Sequence, residues 1–220
     1  MFDLGGQFMK IINFLSFSKK ETAACNPEEL RAGVEDVYSA AARKPAGKYS
    51  FPVGREFAES IGYPVDTLDA IPAAAWEAFV GVSNVSVFAD ITPGETILDL
   101  GCGAGLDSII ARQRTGGSGK VIGIDFSKDM LKRAKQAVEE IGIDGQVEFH
   151  CASAEELPLQ DSSIDTILVN GIFNLNPKRN QIFTELSRVL KGGGKVYAAE
   201  MVFTEHIEIE KISKLDDWFA

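Results

Sequence analysis

Thiols, histidines and basic charge are what this chain of 220 residues has least of. Its three cysteines, Cys25, Cys102 and Cys151, have neither the even count of a disulfide framework nor the paired spacing of a metal site, so a reducing, cytoplasmic setting and no bound metal are expected. Histidine occurs only at His150 and His206, which leaves few candidates for a general base near neutral pH. Lys and Arg number 22 against 32 Asp and Glu, for a formal net charge of −10. Phosphate binding depends on neutralisation by Lys and Arg, so this balance argues against nucleic acid as a partner. The basic cluster of Lys128, Lys132, Arg133 and Lys135 has the spacing of a wet helix face. Long apolar runs are missing too. Positions 8–17 are interrupted by Lys10, Asn13 and Ser16 and lack a basic region ahead of them, so neither a membrane span nor a secretory signal is expected there, but a short amphipathic helix packed on the body or on a partner.

What is present is an apolar run that ends in alternating glycines. Thr96-Ile97-Leu98-Asp99-Leu100 leads into Gly101-Cys102-Gly103-Ala104-Gly105-Leu106-Asp107, a buried parallel strand entering a glycine loop that opens a helix. A dinucleotide fingerprint competes for this pattern, but it asks for a small residue where Leu106 stands, and Asp99 would repel a pyrophosphate. S-adenosylmethionine, cationic and without phosphate, suits the pattern better. Asp99 would meet the cationic end directly or through water, while Gly101, Gly103 and Gly105, with Cys102 between them, would bare the backbone to the methionyl and ribose portions. About twenty residues on, Lys120-Val121-Ile122-Gly123-Ile124-Asp125 forms a second strand with a carboxylate at its end, placed to accept from both ribose hydroxyls. Asp125 as a mere helix start is the alternative, but Ser127 already supplies that cap.

Along the chain, Asn26 followed by Pro27 starts a helix that runs to about residue 42. Residues 48–90, punctuated by Pro52, Pro64 and Pro72, read as an irregular to helical lid in which Trp76 and Phe79 are packing anchors. From residue 95, strands near 96–99, 120–125, 147–151, 166–170 and 195–200 alternate with helices near 106–114, 128–141 and 178–190. The expected fold is α/β, a Rossmann-like doubly wound and mostly parallel sheet with a helical amino-terminal cap, divided into residues 1–90 and 91–220. Lys191-Gly192-Gly193-Gly194 reads as a helix C-cap and turn. Ligands of such sheets lie beyond the carboxyl ends of the strands, which puts the glycine loop, Asp125, Ser153-Ala154-Glu155 and Asn170 on one rim.

Over residues 93–203 the chain resembles the class I S-adenosylmethionine-dependent methyltransferases. The glycine loop, Asp125, Ala154-Glu155-Glu156-Leu157-Pro158, Asp161-Ser162-Ser163-Ile164-Asp165 and Leu190-Lys191-Gly192-Gly193-Gly194 carry the likeness. Ile61-Gly62-Tyr63-Pro64 and Pro93-Gly94-Glu95 look most like the arsenite methyltransferase branch, and quinone C-methyltransferases match the core. The resemblance implies S-adenosylmethionine as methyl donor, held by Asp99, Gly101, Cys102, Gly103, Gly105, Asp125, Phe126, Met130, Ser153, Ala154, Glu155 and Asn170. In the arsenite branch two cysteines hold the metalloid, and their matching positions here are Val82 and Gly171, which supply no soft ligand. Ser153 stands where relatives carry an acidic residue for the adenine amino group; its hydroxyl accepts from adenine or caps residues 154–156. Relatives also continue with two antiparallel strands. These are expected to be absent here, leaving the fifth strand as an exposed edge that invites pairing of two copies as a homodimer.

For the chemistry, in-line displacement at the sulfonium methyl needs positioning more than a base. His206, Asn170 and Asn174 are the weak candidates for acting on the methyl acceptor, and His150 is weaker. Asn174 could equally cap the helix behind Pro177. Tyr49, Phe51, Tyr63, Trp76 and Phe79 suit either core packing or an apolar, planar acceptor. The expected function is methyl transfer to a small molecule, with arsenite methylation and an inactive binding protein as the alternatives.

Overall fold

A computed structural model describes residues 27–201, with side chains from residue 31. His206, Cys25, the cap at Asn26 and the helix expected within residues 8–17 lie outside the described residues. The chain opens with α1 (Pro27–Arg43), followed by four short helices, α2 (Arg55–Ser60), α3 (Val65–Asp69), α4 (Ala73–Trp76) and α5 (Val85–Phe88). Then come β1 (Thr96–Leu100), α6 (Leu106–Thr115), β2 (Lys120–Asp125), α7 (Lys128–Glu140), β3 (Val147–Cys151), β4 (Ile164–Asn170), α8 (Arg179–Val189) and β5 (Leu190–Ala199). The strands form one parallel sheet in the order β3-β2-β1-β4-β5. The order reverses between β1 and β4, so the crevice for a ligand opens above the carboxyl ends of those two strands.

Both faces of the sheet are covered, which is why β1, β2 and β4 are almost wholly buried instead of alternating. Leu98, Leu100, Ile122, Ile124, Ile167 and Val169 point to one face and pack with Ile182 and Leu186 of α8. Ile97, Val121 and Leu168 point to the other, with Ile109 and Ile110 of α6 and Val138 of α7. Each such fully buried aliphatic side chain contributes roughly 1.5–3 kcal/mol. On α7 the buried residues Met130, Leu131, Ala134, Ala137 and Val138 fall on one helical stripe, and the Ser127 hydroxyl accepts from Met130 N at 3.3 Å, the cap that the sequence assigns to it.

Residues 55–91 share the second of these cores: Tyr63, Leu68, Ile71 and Phe79 pack in the same cluster as Ile97 and Ile109. Phe79 meets Tyr63 edge-on at 5.1 Å, and the Trp76 indole donates to Ile71 O at 3.0 Å, so both expected anchors hold the cap together. One expectation is corrected. The segment Lys191–Gly194 is part of β5, which begins at Leu190, and it carries the register shift opposite Ile164 and Thr166. A Cβ at Gly194 would lie 2.8 Å from Asp165 O, so the glycine lets two backbones close up at the irregularity rather than merely ending α8. Among the described residues β5 pairs on one side alone, and no helix is long and apolar enough to cross a membrane.

Candidate functional site

The loop after β1 is tied to the end of β2, since the amides of Gly101 and Cys102 both donate to Ile124 O, at 2.7 and 3.0 Å. Gly101, Gly103 and Gly105 all have positive φ. Their lack of side chains serves more than one purpose. A Cβ at Gly101 would overlap Ile172 Cδ1, and one at Gly105 would lie 3.0 Å from Ala134 Cβ on α7. Only at Gly103 is the space open, with Met130 Sδ the nearest atom at 4.0 Å. Bared backbone is thus an adequate reason for Gly103, while Gly101 and Gly105 are glycines because neighbouring elements press on them.

Asp125 ends β2 beside this loop. Its Oδ2 accepts from Gly103 N at 2.9 Å and its Oδ1 from Ser127 N at 2.7 Å, which fixes the carboxylate and leaves each oxygen a further lone pair. Burial pushes its pKa up to about 6 against the pull of those N–H groups. Asp99 lies deeper. Its Oδ2 accepts from Ser108 Oγ at 2.5 Å, burial and then Asp107 push its pKa up to about 8, and it is not part of the cavity wall. Asp107, from the first turn of α6, is in that wall. It accepts from Tyr63 Oη at 2.7 Å, Ser86 N at 3.3 Å, the Ser86 hydroxyl and Asn170 Nδ2 at 3.1 Å. Neither Asp107 nor Asp125 has an ion-pair partner among the described residues, so the loop end of the site carries negative potential with no cation to balance it.

A cavity of about 530 Å3 opens here, with Phe126, Met130, Ser153 and Ala154 on its β2–β3 side and Asn170, Ile172, Asn174 and Glu200 on its β4–β5 side. The Ser153 hydroxyl donates to Glu155 and accepts from Arg31 Nη2 at 3.2 Å; it takes no backbone N–H, and residues 154–156 form a turn, so the capping role expected for it is not realised. Glu155 accepts from Asn176 Nδ2 at 3.0 Å. Asn170 is engaged on both ends of its amide: Oδ1 accepts from Val82 N at 2.7 Å and Ser83 N at 3.2 Å, and Nδ2 donates to Ser83 O at 2.7 Å. It thereby pins the cap segment across the end of β4. Asn174 donates to Met201 O and is no helix cap; α8 begins without a side-chain cap, and Asn176 Oδ1 accepts from Lys178 N at 2.7 Å in a turn just ahead of it. Cys102 is buried in the loop, where desolvation pushes its thiol well up. His150 lies outside the cavity wall, half-exposed beside Glu148 at 3.6 Å.

Asp107, Arg31, Tyr38 and Glu200 are among the wall residues that escaped the sequence reading. Arg31, Val34 and Tyr38 repeat at helical spacing on α1, a stripe that could have been read as a face over the site. Glu200 follows the carboxyl end of β5, the same kind of position that singled out Asp125.

Comparison with known proteins adds the following. A family model described as a methyltransferase domain matches residues 91–219. An arsenite methyltransferase from Halobacterium salinarum is 36% identical over 66% of this chain and 37% of its own. A demethylmenaquinone methyltransferase from Oceanobacillus iheyensis is 40% identical over 50% of this chain and 46% of its own. The crystal structure of an arsenic (III) S-adenosylmethionine methyltransferase from Chlamydomonas reinhardtii superposes with a TM-score of 0.53, at 26% identity, over 66% of this chain and 48% of that one. The chain therefore spans less than half the length of these relatives.

Proposed function

This chain belongs to the methyltransferase-domain family with the class I fold, and from that premise we propose that it binds S-adenosylmethionine and transfers the methyl group to a small molecule. The observation that carries the reading is Asp125, a buried carboxylate at the end of β2, oriented by Gly103 N and Ser127 N and facing the cavity with lone pairs to spare. Those lone pairs suit a pair of ribose hydroxyls. The unbalanced charge of Asp107 suits a ligand that is cationic at its other end, and the open face of Gly103 lets that ligand lie against backbone. When bound, S-adenosylmethionine supplies an electrophilic methyl group on a sulfonium centre. The protein's part is to orient and to keep water out: Met130, Phe126 and Ala154 flank one end, and Phe57, Phe79 and Val80 of the cap close the other. Holding two reactants in line is worth up to roughly 7–11 kcal/mol in ideal geometry, so no dedicated base is required for an acceptor that is already nucleophilic. In this reading residues 1–90 act as the cap and 91–220 as the donor-binding core, and pairing of two copies through β5 plays no part.

Arsenite methylation has the Halobacterium relative in its favour. Against it stand the side chains. A Cβ at Gly171 would lie 3.1 Å from Val82 Cγ2, so the two positions meet at the cavity wall, and they meet as a glycine and a valine. A soft metalloid calls for convergent thiolates, and among the described residues of this wall the cysteine is Cys102, whose buried thiol is pushed well above its ordinary pKa.

The test is calorimetric titration with S-adenosylmethionine and S-adenosylhomocysteine. Micromolar binding by the wild type that weakens at least tenfold in Asp125→Ala supports the reading, and a folded wild type that binds neither refutes it. Each lost charge-assisted hydrogen bond is worth about 1.5–3 kcal/mol, which sets the size of that step.

A further inference from the structure

Glu200 is the acidic side chain of the cavity wall on the β4–β5 side, three strands along the sheet from Asp125. Its Oε1 accepts from Ile172 N at 2.6 Å and Phe173 N at 2.7 Å, which engages both lone pairs of that oxygen. Among the described residues its Oε2 accepts from Asn174 N alone, at 3.4 Å, the outer limit of such a bond. One carboxylate oxygen is therefore anchored, and the other keeps accepting capacity at the cavity. Burial pushes its pKa up in spite of the three amides, and it has no ion-pair partner within salt-bridge distance among the described residues. The charged or titratable groups that face it are Tyr38 from α1, Asp125's neighbour across the cavity, and Arg179 from α8.

The surroundings are flat and apolar. Along the cavity that Glu200 borders, Tyr38 stacks on Phe51 with centroids 5.8 Å apart and planes 19° apart, Leu175 packs in the same cluster, and Phe57 and Phe79 are further apolar wall. We propose that this end of the cavity takes a neutral methyl acceptor with a planar apolar body and one O–H or N–H group, which it presents to Glu200 Oε2. This inference rests on the proposed function and goes beyond it by naming the acceptor's chemistry and a catalytic residue. An anionic acceptor meets the repulsion of Glu200 and Asp107, and a polar one leaves the aromatic wall unused. In the transfer, the acceptor's heteroatom lone pair forms the new bond to the methyl carbon. The carbon–sulfur bond breaks with its electron pair staying on sulfur, which becomes a neutral thioether. The proton of the acceptor's O–H or N–H passes to Glu200 Oε2, so charge and atoms balance.

The test uses binding to the full chain loaded with S-adenosylhomocysteine, with 1-naphthol and 1-naphthylamine as donors and 1-methoxynaphthalene as a probe of similar shape without a donor. Saturation-transfer NMR titrations are expected to give both donors at least tenfold tighter affinity than the ether. In Glu200→Gln the amide oxygen can still take Ile172 N and Phe173 N, while an NH2 group replaces Oε2. Discrimination should fall below threefold there, with the affinity for S-adenosylhomocysteine unchanged within twofold. Equal affinities for the three probes in the wild type overturn the inference without recourse to any variant, and so does failure of all three to bind the loaded protein. A wild type that does not bind S-adenosylhomocysteine overturns the proposed function instead, which separates the two.

Discussion

The Tyr63 hydroxyl, just beyond α2, donates to Asp107 Oδ1 at 2.7 Å, although 44 residues separate them and Asp107 belongs to the first turn of α6. This bond joins the cap to the helix that the glycine loop opens. Asn170 adds the end of β4 to the same knot by donating to Asp107 Oδ2 at 3.1 Å. Tyr63→Phe keeps the ring packed on Phe79 and removes one donor from a carboxylate that retains three. It should lower the unfolding free energy by about 1.5–3 kcal/mol, and Asp107→Ala by more, because Tyr63, Ser86 and Asn170 each lose a charged acceptor. Urea unfolding of the two variants decides it; equal losses would mean that the knot is not what binds the cap.

The buried aspartates set a pH dependence of known sign. Asp99, pushed up to about 8, binds its proton more tightly folded than unfolded, where a carboxyl titrates near about 3.9. Between those values the native state holds more protons than the unfolded chain, so stability falls as pH rises. Carboxylates held below their ordinary range, such as Glu185 beside Arg188 and Asp165 beside Lys191, act in the opposite sense but at lower pH. Asp125 adds to the fall only up to about 6. From pH 6 to 8 the fall continues through Asp99. Thermal unfolding of the protein free of ligand should move to lower temperature across that window, and Asp99→Asn should flatten the trend; a wild type with no slope there would contradict the burial argument.

Much of this was legible in the chain itself, for reasons that differ by element. Strands β1, β2 and β4 are buried on both faces, so their apolar runs stand out, and the position of Asp125 follows from strand order alone. The start of β5 was not legible, because glycines at 192–194 look like a turn, and only the close approach of Gly194 to Asp165 O reveals a bulge. Asn170 was expected to face an acceptor, yet its amide is taken up by Val82 and Ser83. That role depends on a segment nearly ninety residues away, and no local pattern reports such a contact.

Two glycines of the loop should respond differently to the same substitution. Gly105→Ala places a Cβ 3.0 Å from Ala134 Cβ at φ +88, so strain and crowding add, and the loss should show in thermal stability. Gly103→Ala meets no atom closer than Met130 Sδ at 4.0 Å, and its stability cost is the left-handed backbone alone, roughly 1–2 kcal/mol. Its methyl group projects where the donor is proposed to lie. Calorimetry should find that Gly103→Ala weakens S-adenosylhomocysteine binding far more than its melting temperature suggests. Undiminished affinity would move the ligand off this loop.

Val82 and Gly171 offer a direct test of why the metalloid reading is set aside. Their side-chain positions converge, with a Cβ at 171 only 3.1 Å from Val82 Cγ2, so the geometry for two ligands on one soft ion is present and the sulfur is not. The wild type should retain no arsenite after gel filtration under reducing conditions, as measured by elemental analysis. Val82→Cys together with Gly171→Cys should retain about one equivalent, while each single substitution retains far less, since one thiolate alone holds arsenic weakly. Position 171 has φ +79, which a cysteine adopts at a cost, so the double variant should also unfold at a lower temperature than the wild type, and arsenite should recover part of that loss by binding the folded state. Arsenite retained stoichiometrically by the wild type would show that thiolates other than these two positions supply the ligands, and would restore the metalloid as the acceptor.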